Sequence, residues 1–142
     1  MLEGKLLSTI TAEIIPGYLQ SHNVAVICSA RSGTSKLRGT TSLLLEAIHL
    51  ATSSSTDTTA IDEVIDIIQL EHVQSAREAI GADTDISRDV QTCIEQDCEQ
   101  LRTLLKATWT LGEISSRIQD RVLAVGETLS CRIVAGSLRM KV

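Results

Sequence analysis

The sequence predicts an α/β fold: a partial α/β/α sandwich, mostly helical in this stretch, with one strand over about residues 23–29. Three observations predict it. Val24-Ala25-Val26-Ile27-Cys28 is a short β-branched run, apolar on both faces and bounded by Asn23 and Ser29, the pattern of a strand buried in a parallel sheet. A polar, glycine-bearing loop, Ser29 to Gly39, then leads into a helix opened by Thr40-Thr41-Ser42, the strand–loop–helix order of an α/β unit. Every other periodic stretch repeats at helical spacing.

The elements follow in order. Residues 2–21 read as a helix in which Leu2, Leu6, Ile10, Ile14 and Tyr18 recur every four residues with Leu7, Ile15 and Leu19 beside them, interrupted at Pro16-Gly17 by the missing N–H and the ring clash of proline. After the strand and loop, Leu43 to Leu50 is helical. Thr52 to Thr59 is a Ser/Thr-rich linker dividing the chain into a substrate-loop segment, 1–52, and a helical segment, 59–142, within one partial domain, 1–142. Ile61, Val64, Ile65, Ile68 and His72 share a helix face, and Thr59-Ala60-Ile61-Asp62 resembles a capping box. Gly81-Ala82-Asp83 is a turn. Ile86, Val90, Ile94, Leu101, Leu105 and Thr108 line the next helix. A capping box at Thr110-Leu111-Gly112-Glu113 starts a last one, with Leu111, Ile114, Ile118, Val122 and Val125 inward. A lone strand leaves N–H and C=O groups unpaired on both edges, so the segment reads as part of a larger sheet, with a rearranged helical minidomain as the alternative.

Composition narrows the function. The chain of 142 residues is 43% hydrophobic, which excludes global disorder, and with no Phe, one Trp and one Tyr its core must be aliphatic. A net charge of −5 and few aromatics lack both the cationic footprint and the stacking platforms for nucleic acid. The four cysteines, Cys28, Cys93, Cys98 and Cys131, form no zinc-type spacing and read as reduced thiols, with no metal site expected. No apolar run approaches the ~18 residues of a membrane span, and the N-terminus lacks a signal peptide's apolar centre. The chain therefore reads as cytoplasmic, with no membrane partner.

The first candidate site is the turn beyond the strand. Ser29 lies there with Thr40 and Thr41 at a helix N-terminus, where backbone N–H groups and the positive dipole end favour an anion; Arg31, Lys36 and Arg38 add charge. Gly33 and Gly39 do not make a Walker loop. A purely structural loop, with Thr40 and Thr41 as caps, is the competing reading. The second candidate is Val125-Gly126-Glu127-Thr128-Leu129-Ser130. Its mid-helix glycine costs about 1 kcal/mol and calls for a reason, such as close approach to a ligand or to another backbone. His22, His49 and His72 are scattered, and the acids from Asp83 to Glu99 form a solvated helix face.

Two blocks carry a resemblance. Val26-Ile27-Cys28-Ser29-Ala30-Arg31-Ser32, Lys36 and Gly39-Thr40-Thr41-Ser42-Leu43-Leu44 resemble the segment after the second strand of aspartate kinases, especially the fungal type. Ile114-Ser115-Ser116-Arg117, Asp120 and Gly126-Glu127-Thr128-Leu129-Ser130 resemble a second motif of that family, and Gly4-Lys5 is similar to the end of its glycine-rich loop. The resemblance implies the amino-acid kinase fold and ATP-dependent phosphorylation of the aspartate side-chain carboxylate, in biosynthesis of lysine, threonine and methionine. It implies L-aspartate and ATP as partners and Mg2+ as cofactor. It also implies that Ser29 and Thr41 hold the aspartate and that Glu127 faces its ammonium group, with Arg31, Gly39 and Thr40 as loop contacts. The lysine of the family's Lys-Phe-Gly-Gly-Thr-Ser loop has no counterpart in the sequence, and Lys5 comes too late to replace it. No residue is therefore assigned as catalytic, and the chain alone is expected to be inactive, pairing with a second copy or with further parts of the domain. A helical interaction protein, a complementing fragment of a split kinase, and a kinase for another amino acid such as glutamate are the alternatives.

Overall fold

The structure, a computed structural model, describes residues 2–33, 38–54 and 56–141, with side chains from Leu6 onward. Lys36, and the side chain of Lys5, lie outside the described residues. The helices are α1 (Leu2–Thr9), a π-helical turn (Ile10–Ile14), α2 (Ile15–Leu19), α3 (Thr40–Thr52), α4 (Thr59–Ile80), α5 (Asp85–Leu111) and α6 (Ser116–Arg139).

Helices α4, α5 and α6 are long because each repeats apolar residues at helical spacing, and α4 and α5 each end on a glycine. On α5, Val90, Ile94, Cys98, Leu101, Leu105 and Thr108 are buried. The Thr84 side chain accepts from the Ser87 N–H at its start, and Gly112, at φ +75°, takes the left-handed conformation at its end. Gly81 closes α4 with a positive φ as well, +102°, but outside the left-handed helical region, and its N–H donates to the Arg77 carbonyl. Helix α3 packs on α4, α5 and α6, so the elements before and after the 53–58 connection share one core. Leu43, Leu44, Ile65, Ile68, Ile94, Leu105, Val122 and Leu129 sit at its centre, all fully or nearly fully buried. Each such side chain stabilises the fold by about 1.5–3 kcal/mol relative to exposure. Trp109 packs half-buried on the edge of this core.

Arg102 clamps α5 to α4. It bonds Asp62 at 2.6 Å, Asp66 at 2.7 Å and Glu99 at 3.2 Å, and Lys106 adds a 3.0 Å contact to Asp62. The Arg102 guanidinium beside Asp62 holds that carboxyl below its ordinary range.

Four expectations need correction. There is no strand among the described residues, so the α/β sandwich is overturned: the fold is all helical. Residues 23–33 form an extended arm over the helices, with Val26 40% and Ile27 96% exposed. Apolar β-branched composition encodes an extended backbone, but a strand also needs neighbouring edges to pair with, and the described residues supply none. The Thr59–Asp62 capping box does not form; Asp57 accepts from the Thr59 N–H at 2.9 Å instead. The Thr110–Glu113 box is replaced by the Gly112 helix end. Ser115, whose Oγ accepts from Ile118, caps α6, and Leu111 is exposed.

The fourth correction concerns the N-terminal helix. Leu6, Ile14, Tyr18 and Leu19 are exposed, while Leu7, Thr11 and Ile15 face the protein. Proline at 16 has no N–H to give, and the preceding turn widens: the Ile15 N–H reaches back five residues to the Ile10 carbonyl. Thr11, fully buried, donates to the Leu7 carbonyl at 2.9 Å. Its hydroxyl also meets Ser137 Oγ and Lys141 Nζ, each at 3.1 Å.

Candidate amino-acid-binding cleft

The site is organised by Gly126. It lies inside α6, where glycine is about 1 kcal/mol worse than alanine, and it is buried. A Cβ there would stand 2.8 Å from the Ala30 Cβ, 3.3 Å from the Thr40 Cγ2 and 3.4 Å from the Leu44 Cδ1. The absent side chain therefore lets the arm and the start of α3 lie directly on α6. Of the two reasons for this glycine, close approach of another part of the chain is the one realised.

That approach brings three sequence neighbours together. Ser29 precedes Ala30, Thr41 follows Thr40, and Glu127 follows Gly126. Ser29, Ala30, Thr41, Asp120, Leu123, Ala124 and Glu127 line one open cleft of about 350 Å³. Ser29, Thr41 and Glu127 are each exposed toward solvent. Asp120 lies two turns of α6 before Glu127, seven residues back on the same face. Sequence reasoning quoted Asp120 in a motif without placing it in the site; its seven-residue spacing from Glu127 was the available signal.

The loop residues divide. Thr40 is buried, its N–H donating to the Arg31 carbonyl at 3.0 Å, which closes the loop at its base. Gly39 is the N-cap of α3 without a side-chain cap, and a Cβ on it would meet the Gly33 nitrogen at 3.0 Å. Gly39 and Thr40 thus shape the loop rather than line the cleft. Arg31 points away from it: its Nη1 donates to the Glu71 carbonyl at 3.2 Å. Arg38 pairs with Glu46.

The histidines stand apart from the cleft. His72 is fully buried, its Nδ1 2.7 Å from the Ile68 carbonyl, and burial pushes its pKa below the ordinary 6.5. Cys98 is sealed in the core, its thiol pushed up to about 12 by desolvation, which makes it chemically inert near neutrality.

Chemically, the cleft offers two hydroxyls on one wall and two carboxylates on the other. Hydroxyls at a helix start suit a carboxylate, and acids suit an ammonium group. The charged side chains lining it are both anionic, which suits a zwitterion's cationic end and opposes a triphosphate. The cleft therefore does not fit the triphosphate of ATP. No helix among the described residues is long and apolar enough to cross a membrane.

No protein-family model matches the chain. Curated relatives do. The chain is 35% identical over 136 residues to an aspartokinase of Schizosaccharomyces pombe, covering 96% of this chain and 26% of that protein. It is 36% identical over 136 residues to an aspartokinase of Candida albicans, covering 96% and 24%. It is 34% identical over 132 residues to an aspartokinase of Saccharomyces cerevisiae, covering 90% and 24%. The chain spans about a quarter of the length of these relatives, and both sequence blocks that build the cleft lie within the matched stretch. Over nearly all of its own length, then, this chain is homologous to a segment of the fungal aspartokinases.

Proposed function

We propose that the cleft is the amino-acid-binding part of an aspartokinase-type site. In this reading Ser29 and Thr41 donate to a carboxylate of L-aspartate and Glu127 receives its ammonium group. Asp120 adds a second negative charge at the ammonium end. The observation that carries it is the common cleft: residues 12 and 86 positions apart along the chain meet there, and Gly126 is sacrificed to helix stability to bring them together. The aspartokinase relatives support the substrate class.

The reaction of the family, phosphoryl transfer from ATP to the aspartate side-chain carboxylate, is almost wholly a matter of positioning and charge stabilisation. The cleft supplies positioning for the acceptor alone. It lacks the cationic groups that would stabilise a transferring phosphoryl, and loss of one such group commonly costs about 10²-fold or more in rate. The chain by itself therefore binds the acceptor without phosphorylating it.

Binding of L-aspartate measured by NMR titration tests this. An affinity in the about-millimolar range is expected for so open a site, weakened in Thr41→Val and in Glu127→Gln, with succinate, which lacks the ammonium group, insensitive to Glu127→Gln. Equal binding by wild type and both variants would overturn the assignment.

A second reading is favoured by the exposed Val26 and Ile27. An apolar arm in extended conformation is suited to packing against further chain, so the molecule also serves as a helical module that completes a larger kinase domain.

A further inference from the structure

A larger groove of about 730 Å³ continues from the cleft between the arm, α5 and α6, and three of the four cysteines, Cys28, Cys93 and Cys131, line it. Glu127 lines both the groove and the cleft. Cys28 immediately follows Ile27, which is 96% exposed, and precedes Ser29. Cys131 follows Glu127 by four residues, which sets the two on one face of α6. The two walls of the cleft thus each carry a thiol one step away from the residue proposed to bind substrate.

We propose that Cys28 and Cys131 are a thiol pair that a disulfide-class oxidant, such as glutathione disulfide, converts to an intramolecular disulfide pinning the arm to α6. Cys131 is exposed and is the entry point, whereas Cys28 is half-buried. The Cys131 thiolate attacks one sulfur of the oxidant, and one glutathione leaves as thiol. Cys28 then gives up its proton and attacks the Cys131 sulfur of the mixed disulfide, and the second glutathione leaves. Two protein thiols are oxidised and one glutathione disulfide is reduced. Cys28 on the arm and Cys131 on α6 line the same groove from its two walls, and burial together with the neighbouring Cys131 pushes the Cys28 thiol up. Cys98, buried and raised to about 12, is outside this chemistry.

The consequence is mechanical and does not depend on the reading of the cleft. The bond fixes Ser29 relative to Glu127 by tying residues 103 positions apart, and hydrogen exchange at the amides of residues 24–30 should slow. The test treats the full chain with glutathione disulfide, blocks remaining thiols, and maps peptides without reduction. The expected result is one cross-link, Cys28 to Cys131, formed equally in Cys93→Ser and lost in both Cys28→Ser and Cys131→Ser, with protection of residues 24–30 rising on oxidation and falling again on reduction. Because Cys131 is exposed, Cys131→Ser keeps the fold, as far-ultraviolet circular dichroism checks. Glutathione adducts without a cross-link, or a dominant cross-link through Cys93, would overturn the proposal. A cross-link with no change in exchange would overturn its mechanical part.

Discussion

Gly126→Ala separates helix propensity from close approach. Judged on the helix alone, alanine should stabilise α6 by about 1 kcal/mol. The structure predicts the opposite sign. The new methyl would stand 2.8 Å from the Ala30 Cβ, an atom held rigidly to the arm's backbone, so relief requires the arm itself to move. The buried Thr40 Cγ2, at 3.3 Å, must also give by a few tenths of an ångström, while the Leu44 Cδ1, at 3.4 Å, stands at the edge of ordinary contact. Overpacking of this kind costs about 1–3 kcal/mol, which outweighs the propensity gain and leaves a net loss of about 1 kcal/mol. Urea denaturation followed by circular dichroism measures it, and limited proteolysis of residues 23–33 reports whether the arm lifts. Displacing the arm carries Ser29 away from Glu127, so aspartate binding should fall in parallel. A variant stabilised by about 1 kcal/mol, with the arm as protease-resistant as before, would refute the reasoning.

Gly17→Ala is the counter-case. No neighbouring atom lies within 4 Å of the new methyl, so a gain of about 0.5–1 kcal/mol is expected in the same denaturation assay. Arg102→Met removes three ion-pair contacts from a side chain only 16% exposed, and should cost about 1–3 kcal/mol in urea denaturation. His72 binds a proton more readily unfolded than folded, because burial lowers its folded pKa. Its contribution is fully present above pH 6.5 and declines as pH falls below that value, by up to about 1.4 kcal/mol per pH unit. Stability measured from pH 7.5 to 5 should show this slope in the wild type and a flatter one in His72→Phe. A phosphoryl-transfer assay with L-aspartate, ATP and magnesium should show no turnover by the chain alone, and measurable product would show that a phosphate site has been overlooked.

The sequence made most of the helical architecture legible. The periodic stripes of α4 and α5 were read with the right inward residues, His72 among them, because a repeat of 3.6 sustained over several turns has no competing interpretation. The arm was misread for a physical reason. Val24 to Cys28 is the same string of residues whether or not neighbouring strands are present, and pairing is a property of the surroundings, not of the run. Capping was misplaced twice because a Thr-x-x-acid spacing recurs by chance, whereas the true caps, Ser115 and Thr84, and the left-handed Gly112 are fixed by where the helix axis must turn. At the N-terminus the four-residue repeat of Leu6, Ile10, Ile14 and Tyr18 ran beside a second one, Leu7, Thr11 and Ile15, and the latter won although its middle member is polar. Thr11 satisfies its hydroxyl three times over, which offsets its burial. That the two candidate segments meet was legible through the glycine: the cost of Gly126 announced a close approach, and residues on either side of that approach line the pocket.

The position of Trp109 gives the molecule a built-in reporter. The chain has one tryptophan, set near the end of α5 and half-buried on the rim of an otherwise aliphatic interior. Emission from that indole comes from a single known place. Fraying of the last turn of α5 ahead of global unfolding would therefore appear as a red shift that precedes the loss of helical dichroism, with no label attached.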